Sequence, residues 1–255
     1  MNMNRSFISK KCINDLYEKM KNLKGSVKDK LKVISNYFPG KVVFSTSFNI
    51  EDQLISHFIL KNKISIKIFT LDTGRFFEET YKVWSDTKNF YGKPIIAYFP
   101  NQENLEKFVF HHGPNSFYNN IKNRIKCCYY RKVEPLKRAL KGNFIWITGL
   151  RAEHSVERSN LNDLEWDNEH GVIKYHPLYH WKLGNIEKIV KNCKIPYNSL
   201  YDKGYPSIGC EPCTRSVKYG ENHRSGRWWW EDHSTKKECG LHNDIIKKKS
   251  PDINL

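Results

Sequence analysis

The stretch Lys41-Val-Val-Phe-Ser-Thr-Ser-Phe-Asn49 decides how this chain folds. Its first four residues are a short run of the kind that a buried strand presents. Ser45 to Asn49 is then a polar loop, and Glu51 to Leu60 reads as the helix after it. The order repeats. Ile64 to Thr70 is a second strand, followed by Leu71-Asp-Thr-Gly-Arg75 and a helix over 76–90. Pro94 to Phe99 is a third strand, with a helix through 102–110. A polar connection leads to a helix containing Cys127 to Leu140, then to a fourth strand, Phe144 to Thr148, and to Gly149-Leu-Arg151. Strands alternating with helices predict an α/β fold: a mostly parallel sheet with helices on both faces. The polar loops leave the carboxyl ends of their strands, where such sheets bind ligands, so they converge on one cleft. Upstream, residues 9–38 read as two helices, stopped by Pro39-Gly40. From about residue 196 onward, Gly, Pro, charge and Trp replace the βα rhythm, which marks a C-terminal extension rather than a second domain.

Composition narrows the classes. The content is 39% hydrophobic and 14% aromatic, enough for a packed core and against disorder. There is no run of 18 apolar residues to span a membrane and no secretory signal at Met1 to Phe7, which points to a cytoplasmic protein. In that compartment the seven cysteines read as ligands and reactive thiols rather than disulfides. The formal charge is +16, from 43 basic and 27 acidic residues. It has two readings: a polyanionic partner, or the lysine-rich usage of an AT-rich coding bias. The arginines are the better site candidates, because their planar fork matches phosphate and sulfate oxygens.

Each loop has a functional and a plain structural reading. Ser45, Thr46 and Ser47 offer hydroxyls and backbone N–H groups at a helix N-terminus, which suits an anion, or they form an ordinary capped turn. The Gly-Lys-Ser/Thr of a Walker loop is absent. Asp72 and Thr73 either contact a nucleotide or cap the next helix. Gly149 allows close backbone approach to a ligand. Arg151 and Arg158 face one anion, or pair with Glu153 and Glu157.

Two cysteine pairs, Cys127-Cys128 and Cys210-Glu-Pro-Cys213, carry the sharpest chemistry. A thiolate quartet suits an iron–sulfur cluster or zinc. Adjacent helical residues diverge by about 100°, so two neighbouring thiolates fit one tetrahedral ion poorly. A [4Fe–4S] cubane, with iron at separate corners, takes both. Lys132 follows the first pair by about one helical turn and is placed to reach both the cluster and a substrate anion. Arg224-Ser-Gly-Arg227-Trp-Trp-Trp230 adds cations, with the indoles anchoring the tail. Cys239, beside Lys236 and Lys237, reads as a reactive thiolate.

These residues resemble a known family. Ser-Thr-Ser-Phe-Asn-Ile-Glu-Asp-Gln (45–53), Leu-Asp-Thr-Gly-Arg (71–75), Cys-Cys-Tyr-Tyr-Arg-Lys-Val-Glu-Pro-Leu (127–136) and Gly-Leu-Arg (149–151) are similar to the assimilatory phosphosulfate reductases, specifically the iron–sulfur adenylyl-sulfate (APS) reductases. So are Cys-Glu-Pro-Cys-Thr-Arg (210–215), Arg-Ser-Gly-Arg-Trp-Trp-Trp-Glu (224–231) and Lys-Glu-Cys-Gly-Leu-His (237–242). The chain departs from many relatives at Asn49 and His154. The resemblance implies an adenine nucleotide alpha hydrolase-like fold of the PP-loop type. It divides the chain into an N-terminal helical segment packed on the core (1–39), a nucleotide-binding core (40–195) and a cluster-binding, catalytic tail (196–255).

The resemblance further implies reduction of adenosine 5′-phosphosulfate to sulfite and AMP, for cysteine biosynthesis, through an S-sulfonate on Cys239. Thioredoxin or a glutaredoxin-like thiol donor is the implied reductant. Lys132, Arg224 and Arg227 join Cys239 as catalytic residues. Ser45, Ser47, Asp72, Thr73, Gly149, Arg151 and Arg158 bind the nucleotide, and Cys127, Cys128, Cys210 and Cys213 hold the [4Fe–4S] cluster. A homo-oligomer is compatible with this reading; Cys12 and Cys193 have no role in it. The nearest rival is reduction of the 3′-phosphorylated substrate, PAPS. A rival of another class is a zinc-stabilised nucleic-acid-binding protein, supported by the charge, the four cysteines and the aromatic tail; the adjacent cysteines and the βα loops favour the reductase, with no nucleic-acid or membrane partner.

Overall fold

A computed structural model of the 255-residue chain describes residues 15–16, 18–19, 25–154, 158, 161–231 and 240–241. Six strands form one sheet: β1 (Val42–Ser45), β2 (Lys67–Leu71), β3 (Ile96–Tyr98), β4 (Ile145–Ile147), β5 (Leu164–Asp167) and β6 (Val172–Tyr175). Their order is β3-β2-β1-β4-β6-β5, parallel except for β5, which runs antiparallel to β6 at one edge.

The two-residue period of a strand divides the core. On β1, Val42 and Phe44 point to one face and Val43 to the other. The first face packs against α1 (Val27–Tyr37), α2 (Ile50–Lys61) and α7 (Leu183–Asn192), through residues such as Leu31, Leu54 and Ile186. The second receives Leu136, Ala139 and Leu140 of α6 (Glu134–Leu140). The sheet is therefore covered on both sides, as expected of a mostly parallel sheet. α3 (Glu78–Tyr91) contributes Val83 to the first core, and α4 (Gln102–His112) buries Phe108.

The helix expected to contain Cys127 to Leu140 is interrupted. α5 (Ile121–Cys128) passes into a π-helical turn, Tyr129–Val133, before α6 begins. A π turn shifts every following side chain around the axis. The β5–β6 hairpin and α7 were not foreseen as elements. The hairpin places Glu165, Asp167 and Lys174 within its strands, which obscures the apolar alternation a strand ordinarily displays. Much of the segment read as the first of two helices lies outside the described residues; 15–16 and 18–19 are helical.

Beyond α7 the chain has little regular structure, and particular contacts dock it. Glu231 forms a two-bonded ion pair with Arg124 of α5, at 2.6 Å from Nε and 3.1 Å from Nη2. Both side chains are buried, and the guanidinium also stacks over Trp228. Among the described residues, no helix is long and apolar enough to cross a membrane.

Breaking a buried pair strands a charge away from water. Glu231→Gln is expected to lower stability by about 3–5 kcal/mol in a urea titration, whereas Arg124→Met with Glu231→Leu should recover much of the loss.

Candidate functional site

The sheet order reverses between β1 and β4, so the loops leaving these two strands diverge and open a crevice at their carboxyl ends. The cleft there is lined by Ser45, Thr46, Ser47 and Asn49 after β1, and by Thr148, Gly149 and Leu150 after β4. Residues 206–209, His223, Arg224, Arg227 and Leu241 add a wall from the C-terminal region.

The loop after β1 is held from within. Ser47 donates both its backbone N–H and its hydroxyl to Asp52 Oδ2, at 2.7 and 2.8 Å. The Phe48 N–H donates to Thr46 Oγ1 at 3.0 Å. Phe48 has φ +59°, a costly value for an aromatic residue, and its ring stacks on Trp84 at 5.4 Å. The half-buried Tyr201 accepts, through its hydroxyl, from the Ile50 N–H and donates to Asn49 Oδ1. A tertiary contact therefore satisfies an otherwise open donor at the start of α2.

Carboxylates crowd this point. Burial pushes Asp52 up to about 7, despite its bonds from Ser47 and with help from neighbouring Glu51. Burial also acts on Glu51, but His154 and Arg151 hold its carboxyl down at about 2. A Cβ on Gly149 would collide with Asp52 Oδ1 and press on Glu51. Gly149 lines the cleft, and Asp52 makes one close approach that requires glycine there.

The expected cations divide into two groups. Lys132, Arg158, Arg224 and Arg227 line the cleft. Arg151 does not: its Nε bonds Glu51 at 2.7 Å, and Nη1 bonds Glu153 at 2.6 Å and the Trp181 carbonyl at 3.3 Å. Of the two readings of Arg151, facing the anion or pairing with a carboxylate, the geometry displays the pairing: this guanidinium offsets the buried carboxylate of Glu51. Arg227 is buried, lies over the Trp228 ring and donates to the Ile208 carbonyl at 3.3 Å, while its Nε has no hydrogen-bond partner among the described residues. A side chain on Gly209 would strike its guanidinium.

Asp72 and Thr73 are the other two residues expected to contact the nucleotide. Neither lines the cleft. Asp72 accepts from the Gly74 N–H and the Tyr81 hydroxyl, which fixes the turn of its own loop rather than capping the next helix. The Thr73 hydroxyl instead lies 3.4 Å from Cys210 Sγ, and its carbonyl accepts from Arg131 at 2.6 Å.

Cys127, Cys128, Cys210 and Cys213 all line a second, small pocket, with Arg75, Arg124, Arg131, Lys132, Phe117 and Pro212. All four are free thiols. Cys210 heads a short helical turn, Glu211–Cys213, and its carbonyl accepts from the Cys213 N–H at 3.0 Å. Burial would raise the Cys210 thiol, but Lys132, Thr73 and Arg227 bring it below its ordinary value. Burial, reinforced by Cys210, pushes Cys213 up to about 12. No group of three or more His, Cys, Asp or Glu among the described residues is placed to hold a metal ion. Lys132 lines both this pocket and the cleft, at the wall between them. Cys239 lies outside the described residues.

Sequence reading missed His223 and Tyr201. His223 stacks on His154 at 5.7 Å, and burial beside His154 takes its imidazole down to about 4. Neither residue belongs to a spacing pattern that would have singled it out.

Residues 41–216 match the phosphoadenosine phosphosulfate reductase domain. The chain is 43% identical over 210 residues to an adenosine 5′-phosphosulfate reductase of Allochromatium vinosum, covering 82% of each chain. It is 45% identical over 206 residues to the protein of the same name in Burkholderia cepacia, covering 81% of this chain and 82% of that one. Among solved structures, a phosphoadenylyl-sulfate (PAPS) reductase from Candida auris in phosphate complex matches with TM-score 0.68 and 28% identity, covering 82% of this chain and 98% of that one. A Candida glabrata FMN adenylyltransferase shares the fold at TM-score 0.51 and 14% identity, over 93% of this chain and 88% of that one.

The raised Asp52 carboxyl has a consequence for stability. Its folded value, about 7, lies above its ordinary value of 3.8. The folded state therefore binds this proton more tightly, and the stability it gives is full below about pH 4 and is lost as pH rises through about 7. Asp52→Asn should gain on the parent chain across that window by an amount on the order of 1 kcal/mol or more, read from urea midpoints at pH 4, 6 and 8.

Proposed function

The chain belongs to the phosphoadenosine phosphosulfate reductase family, and on that premise we propose that it reduces adenosine 5′-phosphosulfate to sulfite and AMP in sulfate assimilation. The observation that carries the reading is the position of Lys132, on the wall shared by the four-cysteine pocket and the cation-lined cleft. A zinc-stabilised nucleic-acid-binding protein would need no such shared wall.

The cleft is the substrate site. Ser45, Ser47 and Gly149 lie on its floor, and Lys132, Arg158, Arg224 and Arg227 supply positive charge. Leu241, two residues after Cys239, lines it as well, and two residues of extended chain span at most about 7 Å. This supports Cys239 as the nucleophile. Its thiolate attacks the sulfate sulfur; an S–S bond forms as the S–O bond to AMP breaks, and the electron pair leaves on the phosphate oxygen. The surrounding cations stabilise that developing charge. A thiol protein of the thioredoxin or glutaredoxin type then attacks the Cys239 sulfur, sulfite departs, and the donor's second thiol resolves the mixed disulfide. Electrons come from thiols at every step.

The chemistry of the donor set suits a [4Fe–4S] cluster, whose separate iron corners do not require the four thiols to be gathered around one ion. Four free thiols meet in one pocket ringed by Arg75, Arg124, Arg131 and Lys132, and thiolate clusters are anionic. Cys127, Cys128, Cys210 and Cys213 would hold it. When bound, it would supply negative charge beside Lys132, whose side chain lines both its pocket and the cleft.

Three measurements test this reading. Cys239→Ser should lower sulfite formation by about a thousandfold or more and show no S-sulfonated protein by intact mass; a normal rate would refute the mechanism. The kcat/KM for adenosine 5′-phosphosulfate should exceed that for the 3′-phosphorylated nucleotide by about tenfold or more, on the scale of one charged hydrogen bond. Anaerobically purified protein should contain iron and sulfide in equal amounts; stoichiometric zinc in their place would exclude the cluster.

A further inference from the structure

Trp146 lies on β4, in register with Val43 of β1 on one side and Lys174 of β6 on the other. It is 1% exposed, yet it lines the cleft. A buried indole usually finds an acceptor for its N–H. Here Nε1 donates to Ser45 Oγ at 2.8 Å, in the loop at the cleft floor.

The ring is fixed from its far side. Lys174 Nζ lies 5.1 Å from the ring centroid, and His170 meets the ring edge-on at 5.6 Å. Lys174 is itself 1% exposed and bonds Asp167 Oδ2 at 2.7 Å. His170 Nδ1 lies 3.0 Å from the same oxygen. A buried cation needs such a partner, and the fixed ammonium in turn favours the indole face.

A serine hydroxyl has one proton to donate and two lone pairs. Trp146 occupies a lone pair of Ser45, which leaves the O–H as a donor. The Ile147 carbonyl stands 3.5 Å from that oxygen, at the limit of a hydrogen bond. A ligand oxygen in the cleft is the stronger acceptor. Accepting the indole N–H also polarises the hydroxyl and strengthens its donation.

We propose that Trp146, held by the buried Asp167–Lys174 pair, is a positioning residue that presents the Ser45 hydroxyl to an anionic oxygen of the bound substrate. The inference rests on the reading of this cleft as the adenosine 5′-phosphosulfate site. Its effect passes through Ser45 and not through contact between the indole and the substrate.

A double-mutant cycle separates these routes. Trp146→Phe keeps an aromatic ring and deletes the N–H. It should raise KM about tenfold, the scale of one hydrogen bond to a charged group, with kcat reduced far less. Ser45→Ala should do the same, and the double variant should be no worse than Ser45→Ala alone. Multiplicative losses would overturn the proposal, because they would mean that Trp146 acts independently of Ser45. A second readout needs no change at Trp146. In the ¹⁵N-labelled chain, Ser45→Ala should shift the Trp146 indole N–H resonance and speed its hydrogen exchange; an unmoved resonance would overturn the proposal. Failure of the parent enzyme to turn over adenosine 5′-phosphosulfate would defeat the substrate assignment instead, and the indole resonance would still decide whether Trp146 is coupled to Ser45.

Discussion

The buried pair of Arg124 and Glu231 ties together two parts of the chain that have no sequence proximity. Arg124 belongs to the helix that carries Cys127 and Cys128, and Glu231 closes the segment that carries Cys210, Cys213, Arg224 and Arg227. The pair is desolvated, so its two hydrogen bonds and its stacking on Trp228 must compensate for lost hydration. Its value lies in registration. Once it forms, both cysteine pairs line one pocket, and the arginines of the tail stand over the loops at the carboxyl edge of the sheet.

Charge organises the rest of the site. The cleft receives Lys132, Arg158, Arg224 and Arg227 on its wall, while Glu51 and Asp52 lie at its floor. Those carboxylates are not free to repel an anion. Glu51 is held by Arg151 and His154, and Asp52 is drawn toward its neutral form by burial. Arg151 thereby serves a neighbouring carboxylate, while the other cations line the cleft. The same division recurs under β4. Asp167 neutralises Lys174, and Lys174 braces Trp146 against Ser45. The serine loop is thus restrained from two sides: by Asp52 through Ser47 and by Trp146 through Ser45.

Much of this was legible along the chain. The first four strands show as short apolar runs followed by polar loops, because parallel strands buried on both faces tolerate few polar residues. The cysteine pairs and Lys132 stand out by spacing alone. The β5–β6 hairpin did not, because its interior charges satisfy one another across the ladder, and an amino-acid pattern carries no record of pairing between strands. The roles of Asp72, Thr73 and Arg151 were ambiguous for a related reason. A polar residue after a strand is equally suited to a ligand, a turn or an ion pair, and the neighbours that decide lie far away in sequence: Tyr81 for Asp72, Cys210 for Thr73 and Glu51 for Arg151.

By itself the sequence determined the alternation of strands and helices, the edge at which the cleft opens and the inventory of reactive groups, because these follow from local periodicity and side-chain chemistry. Only the tertiary structure decided which groups meet. It gave Lys132 its place between two pockets, turned Arg151 inward to a buried carboxylate and set Trp146 against Ser45. Each of these depends on burial and on partners up to about a hundred residues away, where the removal of water, rather than any local preference of the chain, fixes which charge or hydrogen bond must be satisfied.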